Sequence, residues 1–103
     1  MSVYAAINSI KSTIPTSVED AQAFLDTLPI DVQEQLISAV YLGREHINTD
    51  HLREDVDISR SYTAHIGRDE YARILYEKGE NVAHYLERLE SCAKASGFDL
   101  NTL

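Results

Sequence analysis

Residues 24–44 read FLDTLPIDVQEQLISAVYLGR, and the fold turns on how this stretch is parsed. It reads as the end of one helix, a Pro turn, and a long helix with a broad apolar face. Pro29 breaks the first helix, since proline cannot donate a backbone hydrogen bond and crowds the preceding turn. Asp31 is a good N-cap for the next helix, with Glu34 three residues on. Val32, Leu36 and Val40, with Ile37 and Tyr41, then repeat at helical spacing. Gly43 suits the left-handed position that follows a helix, with Arg44 just beyond to meet the last carbonyls.

Working outward toward the N-terminus, Val18, Ala21, Leu25 and Leu28 form the stripe of the preceding helix. Ser17 with Asp20 resembles a capping box, and Glu19 and Asp20 lie where the helix dipole favours negative charge. Residues 2–13 form a first helix with Tyr4, Ile7, Ile10 and Ile14 on one face, ended by Pro15.

Toward the C-terminus, residues 45–49 are a connection. Asn48 or Thr49 is placed to cap a fourth helix whose thin face is Leu52, Val56, Ser59, Thr63 and Ile66, ending at Gly67. Asp69 opens a short fifth segment, DEYARILYEK, stopped by Gly79. Asn81 caps a last helix with Val82, Leu86, Leu89 and Ala93 on its stripe, joined by Tyr85 and Cys92. Gly97 followed by Phe98 is a helix stop with its hydrophobic contact. Residues 98–103 read as a frayed tail. Convincing period-two runs and hairpin turns are missing. The expectation is an all-α fold, a compact bundle of five or six short helices in one domain spanning 1–103. Its core draws on Ile7, Ile10, Ile14, Leu25, Leu28, Leu36, Val40, Leu75, Leu86 and Leu89.

The chain has 103 residues and a net charge of −8, from 17 acids against nine Lys and Arg. Such a surface disfavours nucleic acid and anionic membranes, and a basic partner fits better. No stretch approaches the ~20 apolar residues of a membrane span. The only cysteine, Cys92, rules out an intrachain disulfide, which together with an unremarkable N-terminus points to the cytoplasm.

The stretch richest in potential ligands is Glu45–Asp57, EHINTDHLREDVD. His51 and Asp55 lie one helical turn apart, and His46 and His84 are further candidates for a metal or small-ligand site. His46 and His51 do not share a helical face, and neither HExxH nor a Cys pair is present. A solvated acidic helix is the plainer reading of this charge run. Cys92 falls on an apolar stripe, where an inert buried thiol belongs. Gln35, Ala39, Gly43 and Leu52 echo helix-turn-helix spacing, yet Asp50, Glu54, Asp55 and Asp57 on the would-be recognition helix would meet phosphate repulsion.

Six Tyr against two Phe and no Trp is the other notable feature. Tyr62, Tyr71, Tyr76 and Tyr85 crowd the second half, where the stripes need only some of them. Surface Tyr favours partner contact. With no catalytic constellation and no cofactor called for, the expected function is non-enzymatic. It is binding of another protein, or self-association as a homo-oligomer, through a Tyr face with an acidic rim. An acidic mimic of nucleic acid shares the charge argument, but the interspersed Lys and Arg weaken it.

LPIDVQEQLISAVYLGRE, with Leu28, Gln33, Leu36, Ala39, Leu42, Gly43 and Arg44, resembles a segment of small bacterial proteins grouped as domain of unknown function 3775. YARILYEKGENVAHYLERLESCAKASGF, through Tyr71, Leu75, Gly79, Val82, Tyr85, Leu86 and Glu87, is similar to that family's closing segment. Tyr41 stands where the family usually has Trp. The resemblance implies an α-helical bacterial protein. It carries no established activity, so no catalytic residue follows from it.

Overall fold

The computed structural model describes residues 2–103. Its five α-helices are α1 (Val3–Ser12), α2 (Val18–Asp26), α3 (Ile30–Glu45), α4 (Tyr71–Lys78) and α5 (Asn81–Ala95). Short 3₁₀ turns occupy Arg60–Thr63, Arg68–Glu70 and Leu100–Thr102, and no strand occurs among the described residues. The chain forms the expected all-α bundle. Helix α3 packs along α5 and also receives α1 and the Arg60–Thr63 turn, while α2 lies on α4.

The capping signal at α2 acts as read on the Ser17 side, while the Asp20 carboxylate reaches back to Thr16 and not to the Ser17 N–H; the cap of α1 is a finding of the structure. Ser2 caps α1 by accepting from the Ala5 N–H, and Ser17 caps α2 by accepting from the Asp20 N–H at 3.0 Å. At the α2–α3 corner Pro29, not Asp31, is the capping residue, and Asp31 lies in the first turn. The Gln33 amide donates to the Leu25 and Leu28 carbonyls at 2.9 and 3.1 Å. It thereby gives the Leu25 carbonyl, which already accepts from the Leu28 N–H, a second donor, and supplies one to the Leu28 carbonyl just beyond α2.

Gly43 does not end α3. The helix continues to Glu45, and the left-handed glycines are Gly79 and Gly97. A Cβ on Gly43 would collide with the backbone carbonyl of Tyr85. The glycine is there so that α3 and α5 can touch backbone to backbone. At the end of α5 the reading holds: the Phe98 N–H bonds the Ala93 carbonyl at 2.8 Å and the Gly97 N–H that of Lys94. This is the Schellman pattern, with Gly97 at φ 66°.

The fourth helix expected from Asn48 or Thr49 to Gly67 does not form. The segment is irregular, with one 3₁₀ turn capped by Ser59. Its backbone donors go to distant partners. The Arg53 N–H donates to His46 Nε2 at 3.0 Å and the Leu52 N–H to Ser96 Oγ at 2.9 Å. Inside, Ser38 and Thr63 share a buried hydroxyl contact of 2.6 Å. Gly67 precedes the Arg68–Glu70 turn, which leads into α4, so Asp69 lies within that turn. Asn81 is the first residue of α5 and not its cap.

The tail is ordered against the core. Leu100 and Leu103 are buried. The Tyr4 hydroxyl accepts from the Leu100 N–H at 2.8 Å and donates to Asp99. The buried Gln35 amide donates to the Asn101 and Leu103 carbonyls. Of the expected core residues, all are buried except Ile14, which is half-buried beside the α1–α2 connection.

Candidate functional site

The close passage at Gly43 sets α5 against the last turns of α3. That placement aligns Tyr41 of α3 with Tyr85 of α5, and Lys78, the last residue of α4, reaches both. Its Nζ lies 4.7 Å from the Tyr41 ring centre and 6.0 Å from that of Tyr85. A cation over the negative face of an aromatic ring is attracted by the ring quadrupole. Both rings are half-buried, as Tyr suits when one end packs and the other is wet.

Arg44, exposed on the same end of α3, adds a second positive charge. Burial, and next the Arg44 charge, hold the Lys78 ammonium below the usual lysine range, with Glu77 pulling weakly the other way. Neither Arg44 nor Lys78 has a carboxylate in ion-pair reach among the described residues. Arg53, Arg60 and Arg73, by contrast, are each paired, while Arg68, Arg88 and Lys94 also have no ion pair among the described residues. Tyr62 flanks this patch, half-buried. Burial raises its phenol above the ordinary value, and the Glu45 carboxylate beside it adds to the rise while Arg53 and Arg44 oppose it.

A cleft of about 250 Å³ opens beside Lys78. Tyr41, Ile66 and Ile74 form its apolar side, and His65 stands at its edge. Arg73 is held between Glu70 at 2.8 Å and Glu77 at 3.1 Å on the rim. Four larger grooves lie elsewhere, of about 670, 650, 400 and 320 Å³; the first two are the most voluminous. Several of their polar groups are engaged within the fold: Tyr4 with Asp99 and Leu100 in the first, Ser12 with the Asn8 carbonyl in the second.

The four tyrosines singled out in the sequence separate. Tyr85 forms part of the patch, and Tyr62 lies at its Arg44 side, beside Glu45. Tyr71 is 4% exposed, packed in the core as the first residue of α4, so it is withdrawn from any contact face. Burial, with the Glu34 charge behind it, raises its phenol. Tyr76 is 44% exposed, but it lies two residues before Lys78 and so roughly 200° round the helix from it.

The structure does not gather His46, His51, Asp55 and His84 into one site. His46 is fully buried, with Nδ1 2.7 Å from the Leu42 carbonyl and Nε2 accepting from the Arg53 N–H. A carbonyl only accepts and an N–H only donates, so the ring is the neutral Nδ1–H tautomer with both nitrogens spent. His51 is exposed and bonds Asp50 at 2.7 Å. Asp55 is held by both arms of Arg53, whose hydrogen bonds keep its carboxyl below the usual range. His84 is exposed on α5 beside Ile47 and Arg88. No group of three or more His, Cys, Asp or Glu is placed to hold a metal ion among the described residues. Cys92 is buried, with Sγ 3.5 Å from the Thr49 carbonyl.

Sequence reasoning missed Tyr41, Arg44 and Lys78 as site residues. The sequence offers only a partial signal for the two cations, one that Arg68 and Arg88 share. Arg73 has Glu70 and Glu77 at helical ion-pair spacing, whereas Arg44 and Lys78 have no acid three or four residues away on either side. Compared with family models, curated proteins and solved structures, the chain finds no match. No helix among the described residues is long and apolar enough to cross a membrane.

Proposed function

We propose that this protein is a non-enzymatic interaction module whose contact face is Tyr41, Tyr62 and Tyr85 around Arg44 and Lys78. The observation that carries the reading is the pair of cations left without carboxylates, backed by half-buried tyrosine rings, in a chain of net charge −8. Tyr and Arg are the residues most enriched at the centres of protein interfaces. Glu45, Glu70 and Glu77 supply the acidic rim. The scaffold under the face is fixed by the α3–α5 contact, so little ordering is needed when a partner arrives.

The resemblance of the LGR and Tyr-Leu segments to domain of unknown function 3775 enters this reading as a proposal too. That family has no established activity, and no catalytic role comes with it. Cytoplasmic residence belongs to the same reading, supported by the single buried thiol.

The test is alanine at Tyr41, Tyr62 and Tyr85, with association measured against a partner captured from an extract of the source cells. Each change is expected to weaken association at least about tenfold, the usual loss at a hot-spot aromatic. Tyr76→Ala, off the face, is expected to leave it unchanged. Equal binding by all four variants would overturn the proposal.

A further inference from the structure

We infer that the patch receives an acidic side chain of the partner, an Asp or Glu set among basic residues. The inference rests on the contact face proposed above and adds the chemistry of what meets it. Two cations on neighbouring helix ends repel each other, and the fold offsets this only through the Tyr41 and Tyr85 rings under Lys78 and the weaker pull of Glu77. Arg44 and Lys78 have no carboxylate in ion-pair reach among the described residues; Arg68, Arg88 and Lys94 share that, but here the Arg44 charge bears on Lys78, which lies over the Tyr41 and Tyr85 rings. A carboxylate placed between them would form charge-assisted hydrogen bonds, which are roughly twice as strong as neutral ones.

Surroundings define the rest of the occupant. The adjoining cleft of about 250 Å³ takes one side chain, not a folded element. Its apolar wall of Tyr41, Ile66 and Ile74 suits the methylene stem of such a side chain. The rim is acidic at Glu45, Glu70 and Glu77, and the whole chain is acidic. A partner approaching at long range is therefore selected for positive charge, and only at contact for one negative group. An acid flanked by Lys or Arg satisfies both conditions. A second copy of this chain satisfies only the contact condition.

The experiment is a titration of the isotopically labelled protein followed by NMR, with sodium acetate as the carboxylate probe and sodium chloride at matched ionic strength as the control. Acetate is expected to shift the Tyr41, Tyr85, Arg44 and Lys78 side-chain signals along saturable curves. Lys78→Met and Arg44→Gln are each expected to weaken that response about tenfold, the loss of one charge-assisted hydrogen bond. Arg44 is exposed, so Arg44→Gln decides the matter if Lys78→Met folds poorly. A short lysine-rich peptide with a central glutamate is expected to displace acetate, and its glutamine counterpart to fail. Identical shifts with chloride, unchanged binding by Arg44→Gln, or equal competition by the glutamine peptide would each overturn the proposal. So would inorganic phosphate displacing acetate far below the concentration the peptide needs, which would assign the patch to a phosphate group. These readouts need no partner. If they fail while the tyrosine variants lose association, the carboxylate is wrong and the contact face stands.

Discussion

Gly43 carries more of this fold than its place in the sequence suggests. The collision of an added Cβ is with the Tyr85 backbone, which cannot swing aside as a side chain would. Gly43→Ala is therefore expected to force α3 and α5 apart and cost about 3 kcal/mol, the upper part of the range for overpacking. Gly97 meets nothing within 4 Å, so Gly97→Ala costs only its left-handed backbone, about 1 kcal/mol. Urea denaturation of the two variants checks the order; equal midpoints would refute the close-contact account. His46 is the second such residue. His46→Ala removes packing and strands the Arg53 N–H, for an expected loss of about 3 kcal/mol. Hydrogen exchange at the Arg53 amide should lose its protection in that variant. The Gly97–Phe98 stop was legible because all its partners lie within one turn. Gly43 was misread because its partner, Tyr85, is more than forty residues away.

Among the elements, the 46–66 segment is the one whose structure its own residues do not dictate. Leu52, Val56, Ser59, Thr63 and Ile66 fall at helical spacing, yet the chain gives up the helix. The Arg53 and Leu52 backbone donors find His46 and Ser96 instead. Those partners lie on α3's cap and beyond α5, so no local pattern could announce them. The tail was misjudged for the same reason: Tyr4 and Gln35, which hold it, come from the other end of the chain and from α3. Helices α1, α2, α4 and α5 were legible because their stripes and stops are local, and α3 was legible from its stripe but not its stop. The buried Ser38–Thr63 pair gives a direct check on the segment's docking. Ser38→Ala strands the Thr63 hydroxyl and is expected to cost about 2 kcal/mol, while Ser38→Ala with Thr63→Val costs less than the sum of the two single changes. Additive losses in this double-mutant cycle would mean that the two hydroxyls do not support each other.

At the scale of the whole molecule, burial raises the phenols of Tyr4, Tyr62 and Tyr71 from the ordinary value of 10.0. A raised value in the folded state means that the unfolded chain gives up these protons first. Their contribution to stability is thus complete below about pH 10 and falls as pH rises through the folded values. Stability measured by denaturant across the alkaline range is expected to decline from that point, and Tyr71→Phe to reduce the decline. A profile unchanged by Tyr71→Phe would contradict its burial as the cause. The same bundle that hides Tyr71 presents Tyr41, Tyr62 and Tyr85 around two unpaired cations, and that arrangement is the central functional claim. The most direct test places a photo-crosslinking amino acid at position 62 and, separately, at the exposed Ala23 of α2, followed by irradiation in the source cells. A discrete adduct is expected from position 62, lost when Lys78→Met is added, and none from position 23. Adducts equal at the two positions, or indifferent to Lys78, would contradict that claim.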